Sequence, residues 1–134
     1  MTTLAVVLLV VVMLATDFFI IGALFSSLRA TMWKPLSDAY PPVPAKSDAV
    51  RREFQSIQMG LFNLGMCVHL AVDSEHLHIE PAAMLRFFRM TGMSVPWSEA
   101  RVVRRSRGNK WITLRIRKVE IKGPGWAFGL AEPS

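Results

Sequence analysis

With 134 residues, part of them given over to a long apolar run, the chain has room for one small folded unit, which excludes a multidomain enzyme. Sixteen Lys and Arg against ten Asp and Glu give +6 at pH 7 and a pI near 10.3, and a mean hydropathy of +0.31 fits a chain that is part membrane span. Cys67 is the only cysteine, so an internal disulfide is excluded and a paired-cysteine zinc knuckle lacks its ligands.

The first element runs from Leu4 to Phe25, 22 residues interrupted by one charge, Asp17. At 1.5 Å per residue it reaches about 33 Å, enough to cross a hydrocarbon core of roughly 30 Å. A cleaved signal peptide is the competing reading. Against it, Met1-Thr2-Thr3 carries no base, the run exceeds a usual signal h-region, and no clean A-x-A site follows. Residues 1–32 are therefore read as a transmembrane helix with its flanks. Arg29 and Lys34 follow the run and nothing basic precedes it, which puts the N-terminus outside and the C-terminal part in the cytoplasm, with Trp33 as an anchor at the interface.

An aspartate at the centre of a span costs about 2.5 to 3.5 kcal/mol on insertion scales, so Asp17 is expected to face a partner or stay protonated. On a helical wheel Val6, Val10, Met13, Ile20 and Leu24 share its side, while Ala15, Gly22 and Ser26 form a small-residue stripe opposite. Two faces are thus open for docking against other integral membrane subunits. The plainer reading is one tolerated polar residue, and a proton relay would have to borrow a second titratable group.

Residues 33–50 hold four of the eight prolines, Pro35, Pro41, Pro42 and Pro44, and are expected to form a stiff, extended juxtamembrane linker. Residues 51–122 are read as a basic β-rich domain and 123–134 as a Gly/Pro/aromatic tail. In Cys67–Asp73 and His76–Glu80, Val68, Leu70, Val72, Leu77 and Ile79 alternate with polar residues, which predicts a hairpin with Val72 facing Leu77 and Leu70 facing Ile79. The other face would gather Cys67, His69, Asp73, His76, His78 and Glu80.

Residues 82–90 fit a short helix or a strand equally. A second hairpin is expected through 95–117, with a loop at Arg107-Gly108-Asn109 that sets Val102 opposite Leu114, Ala100 opposite Ile116, Arg101 opposite Arg115 and Arg105 opposite Trp111. A parity change at Val119 and Ile121 predicts a bulge or bend near Lys118.

Several stretches carry a resemblance: Trp33-x-x-Leu36 with Tyr40-Pro41, Phe54-x-Ser56-x-x-Met59-Gly60-x-x-Asn63, Arg86-Phe-Phe-Arg89 and Val95-Pro96-Trp97-Ser98-Glu99. The chain resembles small, uncharacterised bacterial single-span membrane proteins whose compact β domain is similar to pleckstrin-homology-like or GRAM-like folds. The resemblance implies one N-terminal transmembrane helix plus a small mainly-β, partly open barrel, in the inner membrane, with no catalytic residues. The chain departs from the pattern at Thr91-Gly92-Met93, where similar chains have a His-Pro-Pro step. It also lacks an amphipathic helix after Ile121, because Gly123–Leu130 is too glycine-rich for a barrel-plugging helix.

Three constellations bear on chemistry. Cys67, His69, His78 and Glu80 could converge on one sheet face as zinc or copper ligands, but without C-x-x-C or H-E-x-x-H framing an exposed face with a His69–Glu80 cross-strand pair is the expected outcome, and no cofactor is implied. No G-x-S-x-G, Walker loop or paired carboxylates point to an enzyme or a small-molecule substrate. The basic cluster says most. Residues 99–122 carry Arg101, Arg104, Arg105, Arg107, Lys110, Arg115, Arg117, Lys118 and Lys122 against Glu99 and Glu120, a local balance of +7 where the rest of the chain sums to −1. Beside a membrane such a patch meets anionic lipid headgroups or an acidic protein surface. Nucleic acid is the less suitable partner for a tethered domain, and a solvated, edge-protecting face is the plain alternative. The expected function is a non-catalytic accessory subunit of an integral membrane complex, by analogy bioenergetic or photosynthetic. The alternative is a tethered module that binds anionic headgroups.

Overall fold

The structure, a computed structural model, describes residues 2–133. Helix α1 (Thr3–Leu28) is opened by Thr2, whose Oγ1 accepts the N–H of Ala5 and so satisfies one of the free donors of the first turn. The helix does not stop where the apolar run stops. It passes through one π turn, Arg29–Trp33, into α2 (Lys34–Ala39), so that one unbroken helix covers Thr3–Ala39. The proline-rich linker expected from residue 33 is thereby corrected: only the segment after Tyr40 is extended.

The π turn explains how Pro35 is tolerated. A proline inside a helix lacks the N–H for the preceding turn and crowds the carbonyl four residues back, and the wider turn just before it relieves both. The turn also sets side-chain direction. In a regular α-helix Leu28 and Trp33, five residues apart, would diverge by about 140°. The wider turn brings them onto one side with Leu36, and all three are buried in the same core cluster as the strands.

The described residues form eight strands, β1 (Val50–Met59), β2 (Phe62–Val72), β3 (His76–Pro81), β4 (Met93–Pro96), β5 (Ala100–Arg105), β6 (Trp111–Ile116), β7 (Val119–Pro124) and β8 (Glu132–Pro133), and β1 to β7 supply most of that core. They form one sheet in the order β4-β3-β2-β1-β7-β6-β5-β8, antiparallel except for the short β5–β8 pair. The first seven curl into a half-barrel. The long β1–β2 hairpin bends at two places where its register shifts, between Arg52 and Gln55 and between Gln55 and Ile57. At these bulges Phe54 and Met66 take left-handed backbone, φ 53° and 55°. Their N–H groups are received by His69 Nδ1 and Ser56 Oγ, at 3.1 and 2.9 Å. Alternation puts Ile57, Met59, Leu64, Val68, Leu70, Leu77, Ile79, Leu114, Ile116 and Ile121 on the concave side, where they enclose Leu28, Trp33 and Leu36.

The β2–β3 register is the expected one, Val72 with Leu77 and Leu70 with Ile79. In the β5–β6 hairpin Ala100 meets Ile116, Arg101 meets Arg115 and Val102 meets Leu114, also as expected. A register shift after Val102 then sets Arg105 opposite Ile112 instead of Trp111. The parity change near Lys118 is a full reversal: Ile116 pairs with Val119 across Arg117-Lys118, with Arg117 at φ 56°. Residues 83–87 form a helical turn, α3 (Ala83–Phe87).

The tail is no appendage. α4 (Gly125–Phe128) is a single turn that buries Ala127 and Phe128 completely, and the Phe128 ring lies so near Gly123 that a Cβ there would stand 2.5 Å from it. Glycine at 123 makes this packing possible, and the tail contributes a single turn where the amphipathic helix of a pleckstrin-homology domain would stand.

Because the helix supplies part of the core, the β domain depends on it. Trp33→Ala is expected to remove about 3–5 kcal/mol of stability, with a smaller loss for Trp33→Phe, measured by denaturant unfolding of the full chain in detergent. A truncation that begins at residue 40 is expected to show no cooperative unfolding transition.

Candidate functional site

The junction of helix and sheet is the most constrained region of the molecule. Trp33 has no exposed surface, and its Nε1 donates to the Thr91 carbonyl at 2.7 Å. It is therefore a core residue bound to protein, and the expectation of an anchor among lipid headgroups is corrected. The reason is the π turn, which rotates Trp33 inward. Two turns earlier Phe25 stacks on Phe88, ring centroids 4.6 Å apart, and one turn earlier Arg29 Nε donates to the Arg89 carbonyl at 2.9 Å. Just past the helix end the Tyr40 carbonyl accepts the N–H of Ser94. The helix is thus pinned at Phe25, Arg29, Trp33 and its C-terminal exit to the segment from Phe88 to Ser94.

Before Phe25 the helix stands bare. Met13, Ala15, Asp17 and Ser26 are exposed, and nothing lies within 4 Å of the place a Cβ would take on Gly22. Thr16 turns its hydroxyl back on the Val12 carbonyl at 2.8 Å, whereas Asp17 projects from the helix.

Cys67, His69, His78 and Glu80, weighed in the sequence as the less favoured metal-ligand set, are each engaged elsewhere. Cys67 Sγ donates to the Gly65 carbonyl, and burial raises its thiol pKa. His69 is spent on the Phe54 bulge. Glu80 is cross-strand from His69 as expected, but its carboxylate is gripped by Arg51, with Nη2–Oε2 at 2.7 Å and Nη1–Oε1 at 3.3 Å. The guanidinium lowers the Glu80 pKa and the carboxylate raises that of Arg51.

His78 points elsewhere. Its Nε2 lies 2.8 Å from Asp73 Oδ2 and its Nδ1 2.8 Å from Ser94 Oγ, with all three residues buried. Asp73 also accepts the N–H groups of Lys46, Glu75 and His76. An ionised Asp73 requires the proton on Nε2. In the neutral ring Nδ1 then accepts the Ser94 hydroxyl, whose oxygen accepts the Val43 N–H at 2.9 Å. The same residue types make hydrolytic relays. Here Ser94 is 4 % exposed and its oxygen is taken, so the chain of bonds clasps residues 41–48 over the sheet. The potential ligand atoms of Asp73, His76 and His78 lie within 4.8 Å of one another, but both ring nitrogens of His78 already have partners.

This covered polar face is what the sequence reading missed. Alternation was taken as a solvated face, and the proline-rich segment turns out to lie across its upper half. The available signal was Ser94, a small polar residue between Met93 and Val95 in a buried run.

Eight of the nine bases named from sequence, Arg101, Arg104, Arg105, Arg107, Lys110, Arg115, Arg117 and Lys118, are exposed on β5, β6 and their turns, and the ninth, Lys122, is exposed on β7. They are not uniformly free. Glu120 holds both Arg104 and Arg115, at 3.1 and 3.0 Å, and the Arg117 guanidinium lies 5.6 Å from the Tyr40 ring centre. Arg104, Arg105, Trp111, Glu120 and Lys122 line a shallow groove of about 340 Å³.

No protein-family model, curated protein or solved structure matches the chain.

The buried carboxylate makes stability depend on acid. Burial alone would raise the Asp73 pKa, but the bonds from His78 and from the N–H groups of Glu75, His76 and Lys46 outweigh it and hold the carboxyl well below the usual carboxylate range. Its folded pKa is below its unfolded one, so the stabilisation is complete above about pH 4 and is lost as pH falls further. Asp73→Asn is expected to lower stability at pH 7 by about 1–3 kcal/mol and to flatten the acid limb, checked by thermal unfolding across pH 2 to 7. Ser94→Ala should speed amide exchange at Val43 and leave the acid limb in place.

Proposed function

We infer that this chain is a non-catalytic subunit of an integral membrane assembly, in which the helix docks among other spans and the β domain is held rigidly on the cytoplasmic side. The observation that carries this reading is the unbroken helix from Thr3 to Ala39, bare over its first six turns and buried in the domain over its last three. The apolar run continues without a break into a helix end that fills the core, which supports retention as a span. The bases after Phe25 support a cytoplasmic domain. A bare span with one acid near its middle supports docking, because a carboxyl in hydrocarbon gains most from a donor on a neighbouring helix.

The half-barrel with a helix in its concave face also supports the pleckstrin-homology-like reading, with the plug supplied from the N-terminal side. Its basic strands suit an acidic neighbour, either a protein surface or anionic headgroups. Glu120 tempers the patch from within, which favours a partner of moderate charge.

Mild detergent extraction followed by native electrophoresis and mass spectrometry tests the reading. Migration with other spans is expected, and a free monomer at every detergent level overturns it. Asp17→Leu is expected to make insertion easier yet weaken co-purification modestly, since interhelical hydrogen bonds in membranes average only about 0.6 kcal/mol. Asp17→Asn should retain association if the bond is neutral and lose it if the partner is a cation.

A further inference from the structure

The helix fixes which end of the β domain faces the bilayer. Twenty residues from Thr3 to Gly22 span about 30 Å, so the hydrocarbon ends near Gly22 and the headgroup layer lies alongside the next turns. At that level the helix is met by two parts of the domain. Ile21, Leu24 and Phe25 share a groove with Phe62, Asn63 and Leu64 at the start of β2. Phe25 also stacks on Phe88 at the end of α3, and α3 is joined to β2 by the bond from the Ala82 N–H to the Cys67 carbonyl. Higher up, Trp33 bonds to Thr91 and Tyr40 to Ser94. β4 therefore climbs away from the membrane, β3 descends toward it, and the turn at residues 73–75 is the distant pole.

Several large apolar side chains of the domain are uncovered, Val50 near the distant turn among them, and the three most exposed lie toward the membrane-proximal end. Leu61, in the turn between β1 and β2, is 96 % exposed. Met66, between Leu64 and Cys67, is 67 % exposed, and Phe87, edge-on to Phe88 at 5.2 Å, is 70 % exposed. Arg29, Arg86 and Arg89 border this end on its α3 side, Arg29 tied to the Arg89 carbonyl and Arg86 at the edge of a groove that also holds Glu53 and Glu80. Apolar tips flanked on one side by guanidinium groups at headgroup depth match the chemistry of a leaflet surface, the apolar groups entering the acyl boundary and the arginines meeting phosphates.

We propose that this end of the domain is a lipid-facing rim: Leu61, Met66 and Phe87 sit in the leaflet that the helix leaves, and Arg29, Arg86 and Arg89 bind its headgroup phosphates. The occupant is the bilayer because the rim is continuous with the span and no flexible linker lets the domain swing clear. The inference rests on reading the helix as a span, and it involves residues distinct from the basic strands β5 and β6.

The test uses the full chain in phosphatidylcholine nanodiscs, with an environment-sensitive fluorophore on single cysteines at Val10→Cys, Leu61→Cys, Phe87→Cys and Glu75→Cys in a Cys67→Ala background that keeps wild-type thermal unfolding. Lipids brominated near the headgroup end of the acyl chains are the quencher. Quenching and blue-shifted emission at positions 10, 61 and 87, with a water-like signal at 75, is the expected result. Water-like signals at 61 and 87 with position 10 quenched overturn the rim and leave the span intact. Quenching at 75 equal to that at 61 overturns the orientation. A water-like signal at position 10 overturns the span and the rim together.

Discussion

The burial of Leu28, Trp33 and Leu36 inside the half-barrel is the constraint from which the rest of the molecule follows. A curled sheet of this size leaves a concave apolar face that must be covered, and among the described residues the cover comes from the end of the long helix together with α3 and the α4 turn. For one helix to project three side chains at spacings of five and three into the same core, its turn has to widen between the first two, which is what the π segment at Arg29–Trp33 does. Helix and domain thereby become one mechanical object. The polar bonds at Thr91 and Ser94 fix rotation about the helix axis, and the stacking of Phe25 on Phe88 fixes its tilt against α3.

Away from the helix the same economy of parts operates with polar groups. The chain leaves the helix at Tyr40 and must cross the outer face of β3 and β4 to begin β1. An apolar strap there would enlarge the core, but this one is proline-rich and has few side chains to bury. It is attached instead through its backbone: Val43 to Ser94, Lys46 to Asp73. His78 connects those two acceptors, so that one buried imidazole coordinates both ends of the clasp. Farther down the same strands Arg51 and Glu80 close a solvent-exposed pair. On the second meander Glu120 does likewise for Arg104 and Arg115, which keeps the like charges of Arg101 and Arg115, facing each other across β5 and β6, from accumulating on one strip.

Much of this was legible locally. Strict alternation in 68–72 and 77–79 gave both the hairpin and its register, because a slip of one residue would have turned every aliphatic outward. The aliphatics of 100–116 did the same until the register shift after Val102, where an extra residue carries no signature in composition. Three things were not legible. Pro35 reads as a helix breaker unless the preceding turn is known to widen. Gly123 and Gly125 read as poor helix formers, although in the fold the absent side chain at Gly123 is what admits the Phe128 ring. The engagements of the less favoured metal-ligand set were not legible for a related reason: parity assigns residues to a face but says nothing of what covers that face, so His78 beneath the strap and His69 beside the bulge were indistinguishable in sequence.

Residues 28, 33 and 36 precede every strand. During synthesis from the N-terminus, the apolar stub that fills the barrel leaves the ribosome before the barrel exists. Each hairpin, as it emerges, meets a surface that precedes it in the chain, so the sheet is assembled around its own filling and never has to admit it through a closed wall. The usual hazard of a growing curled sheet, an open apolar concavity awaiting a late helix, is removed by the order of the parts along the chain.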